Sequence, residues 1–239
     1  MNTHILTHGM YTGAWCWNKV IPLLQKAGHQ AVAFDLPGHG GDQTPISKIS
    51  LQSYVDKVCQ VLDSQSGPVI LVGHSFGGIV ITQVAEYRPD KIKKLVYLCA
   101  LFPQNGDFSI KLVRSVPDSA PLMMQTTVVS EDKSFHTVKL EFIKELFYAD
   151  CSDDDVNRAR SLLCAEPMGC SFTPVRTTAE NFGRIPRVYI QTLQDKALSP
   201  SFQEKMYSMM PFQTIIHMNT SHSPFFSAPE ELAAHLLSL

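Results

Sequence analysis

Six short apolar runs recur along the 239-residue chain, and between most of them apolar residues return every three or four positions. The runs are residues 4–7, 30–35, 68–72, 94–100, 187–193 and 214–219. Short runs of this kind, rich in β-branched and aromatic side chains, read as buried strands. Helical spacing begins at Trp15 and stops at Ala27-Gly28-His29, where Gly28 suits a left-handed cap. Leu51, Tyr54, Val55, Val58 and Leu62 mark a second helix, with Ser50 as its N-cap. Ile79, Val80, Val84 and Tyr87 mark a third, residues 201–209 a fourth, and Pro229–Leu237 a last one opened by proline. Strands alternating with helices predict an α/β fold, a parallel sheet of about six strands with helices on both faces.

The rhythm breaks after Phe102. Residues 103–182 predict no buried strand; their apolar positions fall in helical stretches, notably Phe142–Tyr148 and Val156–Leu163, punctuated by Pro117, Pro121, Pro167 and Pro174. Residues 128–139 alternate enough for a small hairpin. The expected organisation is a core of residues 1–102 and 183–239, with 103–182 inserted as a mainly helical cap.

Between the third strand and the third helix stands Gly73-His74-Ser75-Phe76-Gly77. This G-x-S-x-G on a strand–turn–helix is the nucleophile elbow of the α/β-hydrolase fold. The turn is so sharp that its two limbs pass within contact, and Gly73 and Gly77 leave room where a Cβ would collide. Ser75 then stands at the head of a helix whose free N–H groups favour developing negative charge.

A serine nucleophile needs a base, an acid to orient that base, and donors for the oxyanion. In an open parallel sheet such groups gather at the carboxyl ends of the strands. Asp195 lies two residues beyond the strand ending at Leu193, and His222 three beyond the strand ending at Asn219. Their order, Ser…Asp…His, is that of this fold. His217 within a strand, His136 in the insertion and His235 in the terminal helix fit less well. The predicted oxyanion donors are the backbone N–H groups of Phe76, beside the nucleophile, and Met10, in the loop after the first strand.

Composition narrows the partners. A net charge of −2 without a long run of one sign speaks against nucleic acid and anionic membrane surfaces, and no apolar stretch reaches a membrane span. The start of the chain lacks the pattern of a signal peptide, so the expectation is a cytoplasmic protein. Its six scattered cysteines, without C-x-x-C or metal-ligand spacing, are expected as buried free thiols, with no metal and no cofactor.

Several stretches carry a resemblance beyond the elbow: His8-Gly9, Gly13–Trp17, Ala27-Gly28-His29, Asp35-Leu36, Gly73–Gly78 and Phe147–Ser152. Together they resemble the plant methylesterase and hydroxynitrile lyase group of α/β hydrolases and its bacterial esterase relatives, over nearly the whole chain and most loosely in the cap. The resemblance implies a cofactor-free carboxylesterase, often a homodimer, with a helical cap over an apolar pocket. It assigns the triad to Ser75, Asp195 and His222 and the oxyanion donors to Met10 and Phe76. The cyanohydrin-cleaving members resemble one another in a threonine after the first strand's histidine and a lysine after the catalytic one. Here Gly9-Met10 and Ser223 stand there, against lyase chemistry. Ser223 also departs from the methionine of the plant esterases.

Pocket candidates are Tyr11, Phe102, Leu122, Met123, Met124, Phe142, Leu146, Phe147 and Phe225, with Phe226 beside the last. Each also suits ordinary core; together they favour a small-molecule hydrophobic or aromatic ester, a pyrethroid-like one included. Rival readings are a non-catalytic small-molecule binder on the same fold, and a lactone or C–C bond hydrolase using the same triad.

Overall fold

The computed structural model describes residues 1–115 and 120–239, and among these the side chains of all but Ala120, Pro121 and Met124. The first half alternates strictly: β1 (Thr3–Thr7), α1 (Val20–Lys26), β2 (Gln30–Ala33), α2 (Leu51–Asp63), β3 (Val69–His74), α3 (Gly77–Tyr87) and β4 (Ile92–Leu98). An excursion follows, with α4 (Ser109–Arg114), α5 (Ala120–Thr126), β5 (Thr127–Val129), β6 (Phe135–Val138), α6 (Ile143–Phe147), α7 (Asp153–Leu162), β7 (Glu166–Pro167) and α8 (Met168–Phe172). The chain then returns through β8 (Arg187–Thr192), α9 (Pro200–Tyr207), β9 (Thr214–Met218), α10 (Pro224–Ser227) and α11 (Pro229–Leu237).

The main sheet has the order β2-β1-β3-β4-β8-β9, and every pairing is parallel. Strand periodicity divides its side chains between two cores. Ile5, Leu71, Leu95, Tyr97 and Tyr189 face one, shared with α2, α3 and α9. Leu6, Ile70, Val72, Val96, Leu98, Val188 and Ile190 face the other, shared with α1 and α11. Covering both faces is why these strands appear as unbroken apolar runs. Each large side chain so buried contributes about 1.5–3 kcal/mol.

Local signals hold where their physics is local. Ser50 caps α2 by accepting from the Ser53 amide, in a reciprocal capping box. Gly28 has φ of 84° just past α1. The helix expected from Trp15 is instead split into a 3₁₀ turn at Ala14–Trp17 and α1 from Val20.

The excursion is mainly helical, and it also carries a small sheet. β5 and β6 form the expected hairpin, and β7 adds to β6 to make a three-stranded antiparallel sheet. Glu166 and Pro167 of β7 are buried, although two residues flanked by cysteine, alanine and methionine carry no alternation to announce a strand. Among the six cysteines, all free, Cys164 is partly exposed rather than buried. Among the described residues no helix is long and apolar enough to cross a membrane.

Candidate active site

The strand order reverses beside β1: the chain leaves β1 outward to β2 and re-enters on the other side as β3. Loops after β1 and β3 therefore diverge and leave a crevice at their carboxyl ends. Ser75 follows β3 there with φ of 53°, a left-handed conformation rare for a residue with a Cβ. Its neighbours hold it so. The Ser75 amide donates to Leu98 at 3.2 Å, and its carbonyl accepts from Gly78 at 3.1 Å and Leu101 at 3.0 Å. A Cβ on Gly73 would sit 2.7 Å from the Gly77 carbonyl oxygen, so the elbow closes only on glycine.

Asp195 and His222 follow β8 and β9. They are buried, 3% exposed each, and His222 Nδ1 lies 2.7 Å from Asp195 Oδ2. The carboxylate is held from four other sides. Oδ1 accepts from the amides of Ala197 at 2.8 Å and Leu198 at 2.9 Å; Oδ2 accepts from Thr192 Oγ1 at 2.9 Å and Gln203 Nε2 at 3.2 Å. So many donors keep it an acceptor, and His222 Nδ1 then carries the proton.

The His222 backbone is also fixed. Its carbonyl accepts from His74 Nε2 at 2.9 Å and from the Cys99 thiol at 3.4 Å. Burial, reinforced by the neighbouring His222, pushes His74 well below the usual histidine range, so it stays neutral. One residue earlier, Asp150 accepts from the Ser221 amide at 2.8 Å and from its hydroxyl. His74, Cys99 and His222 offer donor atoms within 4.8 Å of one another. Their convergence is accounted for by the carbonyl that two of them share.

The loop after β1 is set by a second buried histidine. The Leu36 amide donates to His8 Nε2 at 3.1 Å, which leaves Nδ1 as the protonated nitrogen, and Nδ1 donates to the Gly9 carbonyl at 2.8 Å. Thr12 Oγ1 donates to the same oxygen at 3.1 Å. The Gly9 carbonyl and the Met10 N–H belong to one planar peptide. Anchoring the oxygen therefore aims the N–H the opposite way. Among the described residues, neither the Met10 nor the Phe76 N–H donates to another protein group.

Ser75, His222 and Met10 line one cavity of about 30 Å³. Among the described residues no hydrogen bond yet joins the Ser75 hydroxyl to His222; such contacts commonly tighten only when substrate is bound.

Comparison with known proteins identifies the family. A family model described as "Alpha/beta hydrolase family" matches residues 5–235. The chain belongs to that family. Within it, the chain is 32% identical over 98% of its length to Putative methylesterase 14, chloroplastic, of Arabidopsis thaliana, and covers 71% of that protein. It spans 55–71% of the curated Arabidopsis relatives named as chloroplastic. Among solved structures, it is similar to a methylesterase protein MES16 from Arabidopsis (28% identity, TM-score 0.85, covering 100% of this chain and 98% of that one). It is equally similar in sequence to a pyrethroid hydrolase from Sphingobium faniae JZ-2 (28%, TM-score 0.89, covering 99% and 96%). It is thus an α/β hydrolase of the plant methylesterase group with bacterial relatives.

This hydrolase lines its cavity with only some of the apolar residues the sequence suggests. Tyr11, Met123 and Phe147 line it, with Thr12, Tyr148, Leu163 and Ser223. Phe102, Leu146 and Phe225 do not: they are buried core, Phe225 packed between Trp17 and His74. Phe226 stacks on Trp15, and Leu122 packs against the α1–α11 core. Phe142 is half-buried beneath the Lys139 ammonium. Helical spacing marks the inward face of a helix but does not say whether that face meets protein or cavity. The side chain of Met124 lies outside the described residues. Gln203, His74 and Asp150 escaped the sequence reading because they act on the site through hydrogen bonds from other elements. Thr192, three residues before Asp195, and His74, inside the elbow motif, were the two with a local signal.

Proposed function

We propose that this α/β hydrolase is a serine-dependent carboxylesterase acting on a hydrophobic or aromatic carboxylic ester. One observation carries the reading: His222, paired at 2.7 Å with the buried Asp195, lines the same cavity as a serine held at φ 53° on an elbow. His222 Nε2 takes the Ser75 proton as Oγ attacks the ester carbonyl, and Asp195 holds the Nδ1–H tautomer and offsets the imidazolium charge. The carbonyl oxygen becomes an oxyanion received by the Met10 and Phe76 N–H groups, which is why anchoring the Gly9–Met10 peptide matters. Collapse of the tetrahedral adduct expels the alcohol, which takes the proton back from His222. Water, deprotonated by His222, then attacks the acyl-enzyme and releases the acid. The excursion acts as a cap, contributing Met123, Phe147, Tyr148 and Leu163 to the cavity wall. Ser223, directly after His222, brings no charge to stabilise a departing cyanide.

The test is hydrolysis of p-nitrophenyl acetate and butyrate by wild type, Ser75→Ala and His222→Ala. Turnover by wild type that falls on the order of 10⁴-fold or more in both variants supports the assignment. Turnover that survives Ser75→Ala overturns it.

A further inference from the structure

A general base works only from the right place: a misplacement of about 1 Å costs on the order of 10²-fold in rate. The core holds His222 by its ring, through Asp195, and by its carbonyl, through His74 and Cys99. The loop that carries it, residues 219–223 between β9 and α10, has little hold of its own. Of the amides of Thr220, Ser221, His222 and Ser223, only that of Ser221 donates to another group among the described residues. Its acceptor is Asp150 Oδ2, at 2.8 Å, and the Ser221 hydroxyl donates to Oδ1 of the same carboxylate. Ser221 is buried, so removing the carboxylate leaves both groups unpaired.

Asp150 comes from the excursion, in the turn between α6 and α7. Its neighbours there reach the same loop. Phe147, which lines the cavity, has its ring 5.7 Å from that of His222, and Cys151 Sγ lies 3.9 Å from the Ser223 carbonyl oxygen. The stretch 147–151 thus meets the ring of the base and both its neighbours in the chain. Asp150 itself does not line the cavity. The route from its carboxylate to the reaction runs through the peptide that leads into His222.

We propose that Asp150 is a positioning residue for the general base. The excursion does more than wall the cavity: through this carboxylate it fixes the Ser221–His222 peptide, and with it the direction of Nε2 towards Ser75. The triad is aligned only while the stretch 147–151 is seated on the loop. This rests on the esterase reading and adds to it a residue, outside the triad and outside the core, on which the alignment of the triad depends.

The experiment compares wild type, Asp150→Ala, Asp150→Asn and Glu145→Gln on p-nitrophenyl butyrate, well below the melting temperature of each. Asp150→Ala is expected to lower kcat by about ten- to a hundredfold with KM little changed. Asp150→Asn should stay within about threefold of wild type, because its Oδ1 accepts from the Ser221 amide and its Nδ2–H donates to the hydroxyl. Glu145→Gln breaks a different contact between excursion and core, to Lys196 Nζ at 2.9 Å, and should leave kcat and KM unchanged. A wild-type kcat in Asp150→Ala overturns the proposal, whatever its melting temperature. Equal losses in the Ala and Asn variants, or as large a loss in Glu145→Gln, overturn it too. A second readout needs no turnover: the His222 Nδ1 proton, on its 2.7 Å bond to Asp195, is followed as a downfield NMR resonance. It should be lost or displaced in folded Asp150→Ala and kept in Asp150→Asn; an unchanged resonance in Asp150→Ala overturns the positioning role. Should wild type hydrolyse no ester, the esterase reading falls, and this resonance alone upholds or overturns the role of Asp150.

Discussion

The rings of His8 and His39 lie 5.0 Å apart, and their surroundings shift their proton affinities in opposite directions. Burial, then the charge on His39, lowers His8 to about 3, so it is neutral. Burial alone would lower His39 too, but the Cys164 thiol and the Glu166 carboxylate, 3.0 Å from Nε2, outweigh it and raise His39 to about 11. The signs of the linkage follow. His39 binds its proton more tightly folded than unfolded, so its contribution is full below pH 6.5 and is lost as pH rises towards 11. His8 resists a proton that the unfolded chain accepts, so it costs stability as pH falls from 6.5 towards 3. His4, His74 and His136 are lowered as well and add to the acid side. Denaturant midpoints measured from pH 4 to 10 are expected to peak near neutrality. E166Q, which removes the counter-charge, should flatten the alkaline decline and leave the acid one.

In the proposed mechanism His8 serves the reaction through the Gly9–Met10 peptide. His8→Ala frees the Gly9 carbonyl and lets the Met10 N–H swing from the oxyanion position. The expected loss falls on kcat, up to the ~10²–10³ of a missing oxyanion donor, with KM little changed. Steady-state kinetics on p-nitrophenyl butyrate checks this; a loss confined to KM would contradict it.

Gln203 supports Asp195 with one of four hydrogen bonds from its Nε2, while its Oε1 accepts from the Thr192 amide at 3.1 Å. Gln203→Leu leaves those groups buried and unpaired. The variant is expected to lose about 1–3 kcal/mol of stability and, separately, turnover measured well below its melting temperature. Asp195→Asn should cost on the order of 10⁴ in kcat with little change in fold, because the wrong His222 tautomer is then stabilised.

How much of this was legible in the sequence depends on the range of the interaction. The elbow could be read because strand, turn and helix are contiguous from Val69 to Tyr87 and two glycines mark the crossing. Asp195 and His222 could be read because a parallel sheet brings strand ends to one edge, so distance along the chain hardly matters. The lining of the cavity could not. Phe225 and Phe147 carry the same apolar signal, yet one is packed between Trp17 and His74 and the other faces the cavity. Gln203 and Asp150 were silent for a related reason: their partners come from other elements, and nothing beside them in sequence requires a buried polar group.

Gly73 of the elbow and Gly67, just before β3, give a clean comparison. Gly73→Ala would drive its methyl into the Gly77 backbone at 2.7 Å, whereas Gly67→Ala meets nothing within 4 Å. The first is expected to lower stability by about 1–3 kcal/mol and to suppress activity; the second should match wild type in both. Thermal melts beside ester assays separate them.

Glu166 of the excursion's β7 accepts from His39 and, at 3.1 Å, from the Tyr54 hydroxyl of α2. The excursion is therefore moored to the core by an ion pair buried on both sides. Replacing Glu166 would leave the His39 charge buried without its partner, at a cost of about 3–5 kcal/mol, comparable to a good part of a domain's whole stability. A cap transplanted from a relative onto this core would fit only if it carried its own carboxylate to meet His39.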